Sequence, residues 1–419
     1  MRLLFVSDSF PYPPDSGTKV RDYHLIHELS GRCELSLLAF TFNDREEAGV
    51  EVMHQYCRTV ESVRYRRRPF LEHVPGLVTR ILAGQPPANH FAFRAEFAAK
   101  LRRLTAEQHF DAVQIDCTPM APYRQFIADP HTRSAIVFID VNAHKFRRIL
   151  RHERSIRLRA HALIDWLMMS VWEARYAQRF DVCIMLSEID AERVRRRNPR
   201  LNTVVVPNGV DVRGKRPLPE NDGSADVLLI GTLSHQPWAD AVVHFHNAIF
   251  PRVRQAVPQA RMVIVGEAPP PIRALASENV VVAGWVNDVE SFYQRCAASI
   301  VPLRAGGGTR LKILESLAYG RPVVSTTIGC EGLDLLADCD LLVADEPGAF
   351  AEQVVRLLTD PNLRRRLTRH GRFTVEHYYT WGKSAGKLLA AYEQVCAGPC
   401  RTRPETPRST HAWTVRTRP

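Results

Sequence analysis

At 419 residues the chain is longer than one hydrophobic core usually organises, so two domains of near-equal size are expected. An apolar share of 45% with 24% charged residues fits a globular protein, and no run approaches the roughly 20 apolar residues of a membrane span. The formal charge of +11 favours anionic partners, whether small phosphate esters, phospholipid surfaces or nucleic acid, without choosing among them.

The nine cysteines show no CxxC or Cys/His spacing, and an odd count argues against a disulfide framework. Met1 and Arg2 lead directly into an apolar stretch too short for a secretion signal, which reads as a first strand and predicts a cytoplasmic protein.

In the first half, apolar runs bounded by turn residues read as strands at 2–7, 34–41, 59–65, 111–116, 135–140, 181–186 and 202–206. The stretch 8–21 (DSFPYPPDSGTKVR) reads as a proline-rich loop, with Gly17 just before a helix that runs to about residue 30. In an open α/β sheet ligands bind beyond the carboxyl ends of the strands, so this loop is either a stiff surface connection or part of a site. Lys19 and Arg21 add positive charge to it. A helix with several acidic residues precedes the third strand, and RYRRR at 64–68 opens a mostly helical insertion to about residue 108.

The loop 117–123 leaves the fourth strand on the same side as 8–21; Gln114 and Asp116 stand near its start, and no catalytic base is assigned there. Val141, Asn142, Ala143 and His144 follow the fifth strand, and a long helical region is read over 145–179. Its opening, 145–159 (KFRRILRHERSIRLR), has seven Lys/Arg against the single acid Glu153, and as a helix it gathers Phe146, Ile149 and Leu150 on one side. That composition suits a helix lying on an anionic membrane, the alternative being a solvated basic helix. Ser187 is placed to cap the next helix. Pro207-Asn208-Gly209-Val210-Asp211 forms a tight turn, and charge, proline and glycine mark the stretch to residue 225 as a linker.

The α/β pattern then restarts. A strand at 226–230 runs into the turn 231–238 (GTLSHQPW), and strands at 262–265 and 280–283 end in Gly266-Glu267 and Gly284-Trp285-Val286. A strand at 298–303 is followed by AGGGTRLKILESLAYGRPVV at 305–324, which reads as a glycine turn and about ten residues of helical pattern. Such a turn leaves the first N–H groups of the helix open and aims the positive end of its dipole into the loop, a setting that suits phosphate. Leu311, Leu314, Leu317 and Ala318 read as the core face, and Gly320 and Pro322 as the stop. Lys312 and Glu315 stand one turn apart. A lysine by the phosphates and a carboxylate one turn deeper, accepting two ribose hydroxyls, would hold a nucleoside diphosphate; a tight connection with a solvated Lys/Glu pair is the plain alternative. Short strands at 322–326 and 341–344 and helices to about residue 396 follow, and 398–419, with five arginines, reads as a disordered basic tail.

These motifs resemble the GT-B glycosyltransferases of family 4, in which a glycine-rich loop precedes a helix carrying a glutamate, then a small residue, Gly and Pro-Val-Val. The family usually has two glutamates eight positions apart; Glu315 matches the second, while Gly307 stands where the first would be, as in a GGGTRLKILE branch of the exopolysaccharide type. The resemblance implies two doubly wound Rossmann-like domains facing a cleft. Residues 1–206 would be the acceptor-side domain, 207–225 the linker and 226–375 the nucleotide-sugar domain, with a helix at 376–397 crossing back. It implies donor binding at Gly231, Thr232, Gly266, Val286, Gly307, Gly308, Thr309, Leu311 and Glu315. Gly17, Thr18 and Asp140 would lie on the acceptor side, and Lys312, Arg310 and His144 would serve catalysis. The family commonly has an arginine and a lysine in the 231–238 turn to neutralise the diphosphate; neither is present, so Arg310 and Lys312 are expected to supply that charge.

The implied activity is retaining transfer of a sugar from a nucleotide-diphosphate sugar to a saccharide or lipid-linked acceptor in polysaccharide assembly. No metal or other cofactor is expected, because no Asp-x-Asp lies within the donor segment 305–324. No nucleic-acid partner is expected either, since no recognition motif accompanies the charge. A nucleotide-sugar 2-epimerase of the same fold and a non-catalytic binding protein are the competing readings.

Overall fold

The computed structural model describes residues 1–65, 94–152, 155–221 and 223–398, so most of the insertion read at 64–108 and nearly all of the tail lie outside the described residues. The chain divides into two compact units: Met1–Val206 with Ala385–Pro419, and Pro207–Ser384.

The first unit is built on a seven-stranded sheet, all parallel. Its strands are β1 Arg2–Ser7, β2 Glu34–Thr41, β3 Thr59–Arg64, β4 Ala112–Asp116, β5 Arg133–Phe138, β6 Val182–Met185 and β7 Thr203–Val205, in the order β3-β2-β1-β4-β5-β6-β7. Helices cover both faces, which is why β1 and β6 are near-continuous apolar runs and not alternating ones. Successive strands step outward in both directions from the β1/β4 pair, so the order reverses there and opens the usual crevice of such sheets. The described part of the insertion is the helix Ala95–Glu107, whose Phe97 stacks on Phe40 at 4.2 Å between ring centroids.

Three local readings change. The proline-rich loop is shorter than expected, because the first helix spans Gly17–Ser30 and takes in Thr18, Lys19 and Arg21. The acidic helix before β3 is two short helices, Asp44–Ala48 and Val50–Met53, divided at Gly49. The long basic helix is also two, Asn142–His152 and Ile156–Ala177, with Ser155 extended at the start of the second. Phe146 of the first turns inward onto the cluster of Ala143, Met169 and Trp172, while Ile149 and Leu150 are half-buried. Asp140 lies beyond the end of β5 and not within it. Ser187 caps its helix as read, accepting from the Asp190 amide at 3.2 Å.

The second unit holds a six-stranded parallel sheet in the order β10-β9-β8-β11-β12-β13. The strands are β8 Asp226–Ile230, β9 Arg261–Val265, β10 Val280–Gly284, β11 Ala298–Val301, β12 Val323–Ser325 and β13 Leu342–Val343. Here the order reverses between β8 and β11. The strand read at 298–303 stops at Val301 because Pro302 brings no N–H to continue the ladder. Residues from the stretch read as linker are hydrogen-bonded along this unit: Val210 donates to the Tyr379 carbonyl at 2.7 Å and Leu218 to that of Tyr319 at 3.0 Å.

Candidate functional site

The glycine loop leaves β11 at the reversal of the second sheet. Gly306 (φ 134°) and Gly308 (φ 68°) hold the left-handed backbone that turns the chain into the helix Leu311–Ala318. A Cβ on Gly306 would lie 2.6 Å from the Arg310 guanidinium, so a side chain here would displace Arg310 as well as strain the backbone. Arg310 itself folds back on the loop: its Nη1 donates to the carbonyls of Gly307 and of Gly308, the latter at 2.7 Å. It braces the loop from inside, and that is where the structure puts the charge expected at a diphosphate. Thr309 accepts from the Asn208 amide at 2.8 Å, tying the loop to the 207–211 turn.

The Arg310 side chain makes no capping bond to the helix, whose amide end and dipole point into the loop, a setting that suits an anion. The helix buries Ile313 and Leu314 fully and leaves Leu311 half-buried, so Ile313 replaces Leu311 in the expected core face. One turn in stands Glu315. Its Oε2 accepts from Lys312 Nζ at 2.7 Å and from the Tyr293 hydroxyl at 3.3 Å, and Lys215 Nζ lies 3.5 Å from Oε1. Burial pushes this carboxyl up, but the ammonium groups of Lys312 and Lys215 outweigh it and hold Glu315 below the ordinary glutamate value. The group is therefore an ionised carboxylate, an acceptor at both oxygens.

Lys215, Tyr293 and Arg372 complete this arrangement, and no local pattern pointed to them. Tyr293 stacks on Tyr319 at 4.8 Å, with Lys215 over the Tyr319 ring at 5.6 Å. Arg372 donates to the Lys215 carbonyl at 2.6 Å and to those of Val212 and Ala318, joining the backbone beneath Lys215 to the end of the Glu315 helix.

The other residues expected to bind the donor lie at the carboxyl ends of neighbouring strands. Gly231 donates to the Val265 carbonyl at 3.2 Å, and Gly266 to that of Gly284 at 2.8 Å, so the exits of β8, β9 and β10 lie side by side. Gly266 (φ 140°) must be glycine: a Cβ there would sit 2.1 Å from the Gly231 carbonyl oxygen. Thr232 is exposed and Val286 half-buried. A Cβ on Gly306 would lie 3.9 Å from Pro237, which makes the glycine loop and the 231–238 turn neighbours.

Gly17, Thr18, Asp140 and His144 belong to the first unit. Gly17 and Thr18 open the first helix, Asp140 is paired with Lys145 at 3.4 Å, and His144 stands half-buried in the first turn of the helix Asn142–His152. The two cations expected to charge the loop are committed elsewhere. Lys19 is buried against Glu46 at 2.7 Å and Asp15 at 3.0 Å, and Arg21 is buried beside Asp22 and Asp116. Burial pushes Asp22 up to about 7 and Asp116 well above its ordinary value. Gln114 bridges Asp116, at 2.9 Å, and the Tyr392 hydroxyl of the final helix. The residues passed over as a catalytic base are thus structural.

Residues 224–360 match the family model described as Glycosyl transferases group 1. An uncharacterized 44.6 kDa protein in the cps region of Klebsiella pneumoniae is 19% identical over 84% of this chain and 90% of its own length. The GDP-mannose-dependent alpha-(1-6)-phosphatidylinositol dimannoside mannosyltransferase of Mycobacterium tuberculosis is 27% identical over 52% of this chain and 58% of its own length. Among solved structures, Anabaena Alr3699/HepE in complex with UDP and glucose matches with a TM-score of 0.67 at 15% identity, over 94% of this chain and 100% of that one. None of these matches favours an epimerase or a non-catalytic binding protein. The chain has the GT-B fold, and its second unit carries a glycosyl transferases group 1 domain.

Proposed function

We propose that this protein is a retaining family 4 glycosyltransferase. It moves a hexosyl group from a nucleotide-diphosphate sugar to a saccharide or lipid-linked saccharide during assembly of cell-surface polysaccharide. The observation that carries this reading is the Glu315 carboxylate, kept ionised by Lys312 and Lys215 one helical turn behind an uncapped glycine loop. The ribose hydroxyls donate to Glu315, while the diphosphate meets the amide end of the helix and the Lys312 ammonium. Arg310 acts by holding the loop. As the bond from the anomeric carbon to the diphosphate oxygen breaks, the acceptor oxygen bonds the same face of that carbon, and its proton passes to the departing phosphate. Positioning and charge stabilisation then carry the rate, without a metal.

His144 and Asp140 face the acceptor in this reading. The mannosyltransferase relative acts on a phosphatidylinositol dimannoside by its name, and the Klebsiella relative is assigned to a cps region, which supports a lipid-linked or surface saccharide here. Work at the inner face of the cell membrane would bring such an acceptor within reach. The test is release of nucleoside diphosphate from a panel of UDP-, GDP- and ADP-sugars, with and without lipid-linked saccharides. Release that rises with one acceptor supports the reading, and none with any donor overturns it.

A further inference from the structure

The helix Ile156–Ala177 has two apolar faces, and the described residues cover only one. Met169, Trp172 and Ala177 are buried on one side together with Asp165 and Glu173. At about 100° per residue, Ile156, Leu163, Ile164, Leu167 and Val171 fall in an arc of about 100° on the opposite side. They are 83%, 40%, 40%, 52% and 68% exposed. Single exposed leucines need no explanation, but a continuous stripe about 22 Å long does.

Charge names the occupant. Arg157, Arg159 and Arg175 flank the stripe and are exposed, while the helix's two carboxylates, Asp165 and Glu173, are buried. Arg147 is exposed on the preceding helix. A second copy packed here about a two-fold axis would set these arginines against their own kind. An anionic bilayer meets both features at once, with apolar side chains at the acyl boundary and cations among the head groups. We propose that this face of the helix Ile156–Ala177 docks the protein on anionic lipid. The contact deepens the membrane-side reading above and rests on it for its purpose, a lipid-linked acceptor. It also differs from the contact expected for 145–159, because Phe146 of the Asn142–His152 helix is turned inward.

The full chain is floated with vesicles of phosphatidylcholine alone and of phosphatidylcholine mixed with phosphatidylglycerol, at low and high salt. The parent should bind the mixed vesicles, less so at high salt, and Leu163→Gln with Leu167→Gln should weaken that binding by about tenfold or more. Arg157→Gln with Arg159→Gln should weaken it too. Unchanged thermal midpoints show that the variants remain folded. The proposal is overturned if the parent does not bind, or if the leucine variant binds like the parent. It is equally overturned if light scattering shows a dimer that the leucine variant breaks. Because the assay needs no substrate, vesicle binding without nucleoside diphosphate release would sink the catalytic reading alone, and the converse result the docking surface alone.

Discussion

Lys215 reaches the Glu315 carboxylate at 3.5 Å from a stretch whose composition marks a linker, while Lys312 holds the other oxygen at 2.7 Å. Two cations therefore share one half-buried carboxylate, and Arg372 keeps the Lys215 backbone against the end of the Glu315 helix.

Glu315→Gln removes an ionised acceptor and leaves two ammonium groups without their shared counter-charge. Donor binding should weaken by roughly 1–3 kcal/mol, read by calorimetric titration with the nucleotide sugar. A variant that binds donor like the parent would show that Glu315 is not at the ribose.

Lys312 and Arg310 should separate in steady-state kinetics. Lys312→Met removes charge that matters most as the diphosphate departs, so kcat should fall more than KM changes. Arg310→Lys loses the double donation to Gly307 and Gly308, loosening the loop in free and bound protein alike, so KM for the donor should rise. A fall in kcat alone for Arg310→Lys would mean that this side chain meets the leaving group instead.

Turnover should survive EDTA, because the charge on the leaving group is met by Lys312 and the helix end. Loss of activity on chelation, restored by Mn²⁺ or Mg²⁺, would overturn this.

Glu173 accepts from the backbone amides of Asn142 at 2.8 Å and Ala143 at 3.2 Å, yet burial pushes its carboxyl from 4.5 up to about 7. A raised folded value means that the folded state holds the proton more tightly. Its contribution to stability is complete below about pH 4.5 and is lost as pH rises through about 7, a change of about 3 kcal/mol. Glu173→Gln cannot ionise and should lack that part of the slope. Guanidinium unfolding of parent and variant at about pH 5 and about pH 8 measures the difference, and equal slopes would refute the assignment.

Much of the fold was legible because parallel strands buried on both faces leave near-continuous apolar runs, as in β1, β6 and β8. The glycine loop was legible for a similar reason: Gly306, Gly307 and Gly308 lie together in the chain, and Lys312 and Glu315 meet through helical spacing. Partners distant in sequence left no such trace. Lys19 and Arg21 look like free loop charges until the fold sets Glu46, Asp22 and Asp116 beside them. Likewise, 145–159 looks like one amphipathic helix until Phe146 finds Trp172.

The chain alone therefore determined what depends on neighbours in sequence: the strands, the glycine turn, the Ser187 cap and the Lys312–Glu315 pair. Only the tertiary structure decided that Lys215 and Tyr293 complete the Glu315 site, that Arg310 turns back on its own loop, and that the open apolar stripe lies on Ile156–Ala177. Hydrophobic spacing within an element specifies which residues seek burial. Which charge lies beside which carboxylate, and which apolar face stays uncovered, depends on how distant segments pack, and composition and spacing do not record that.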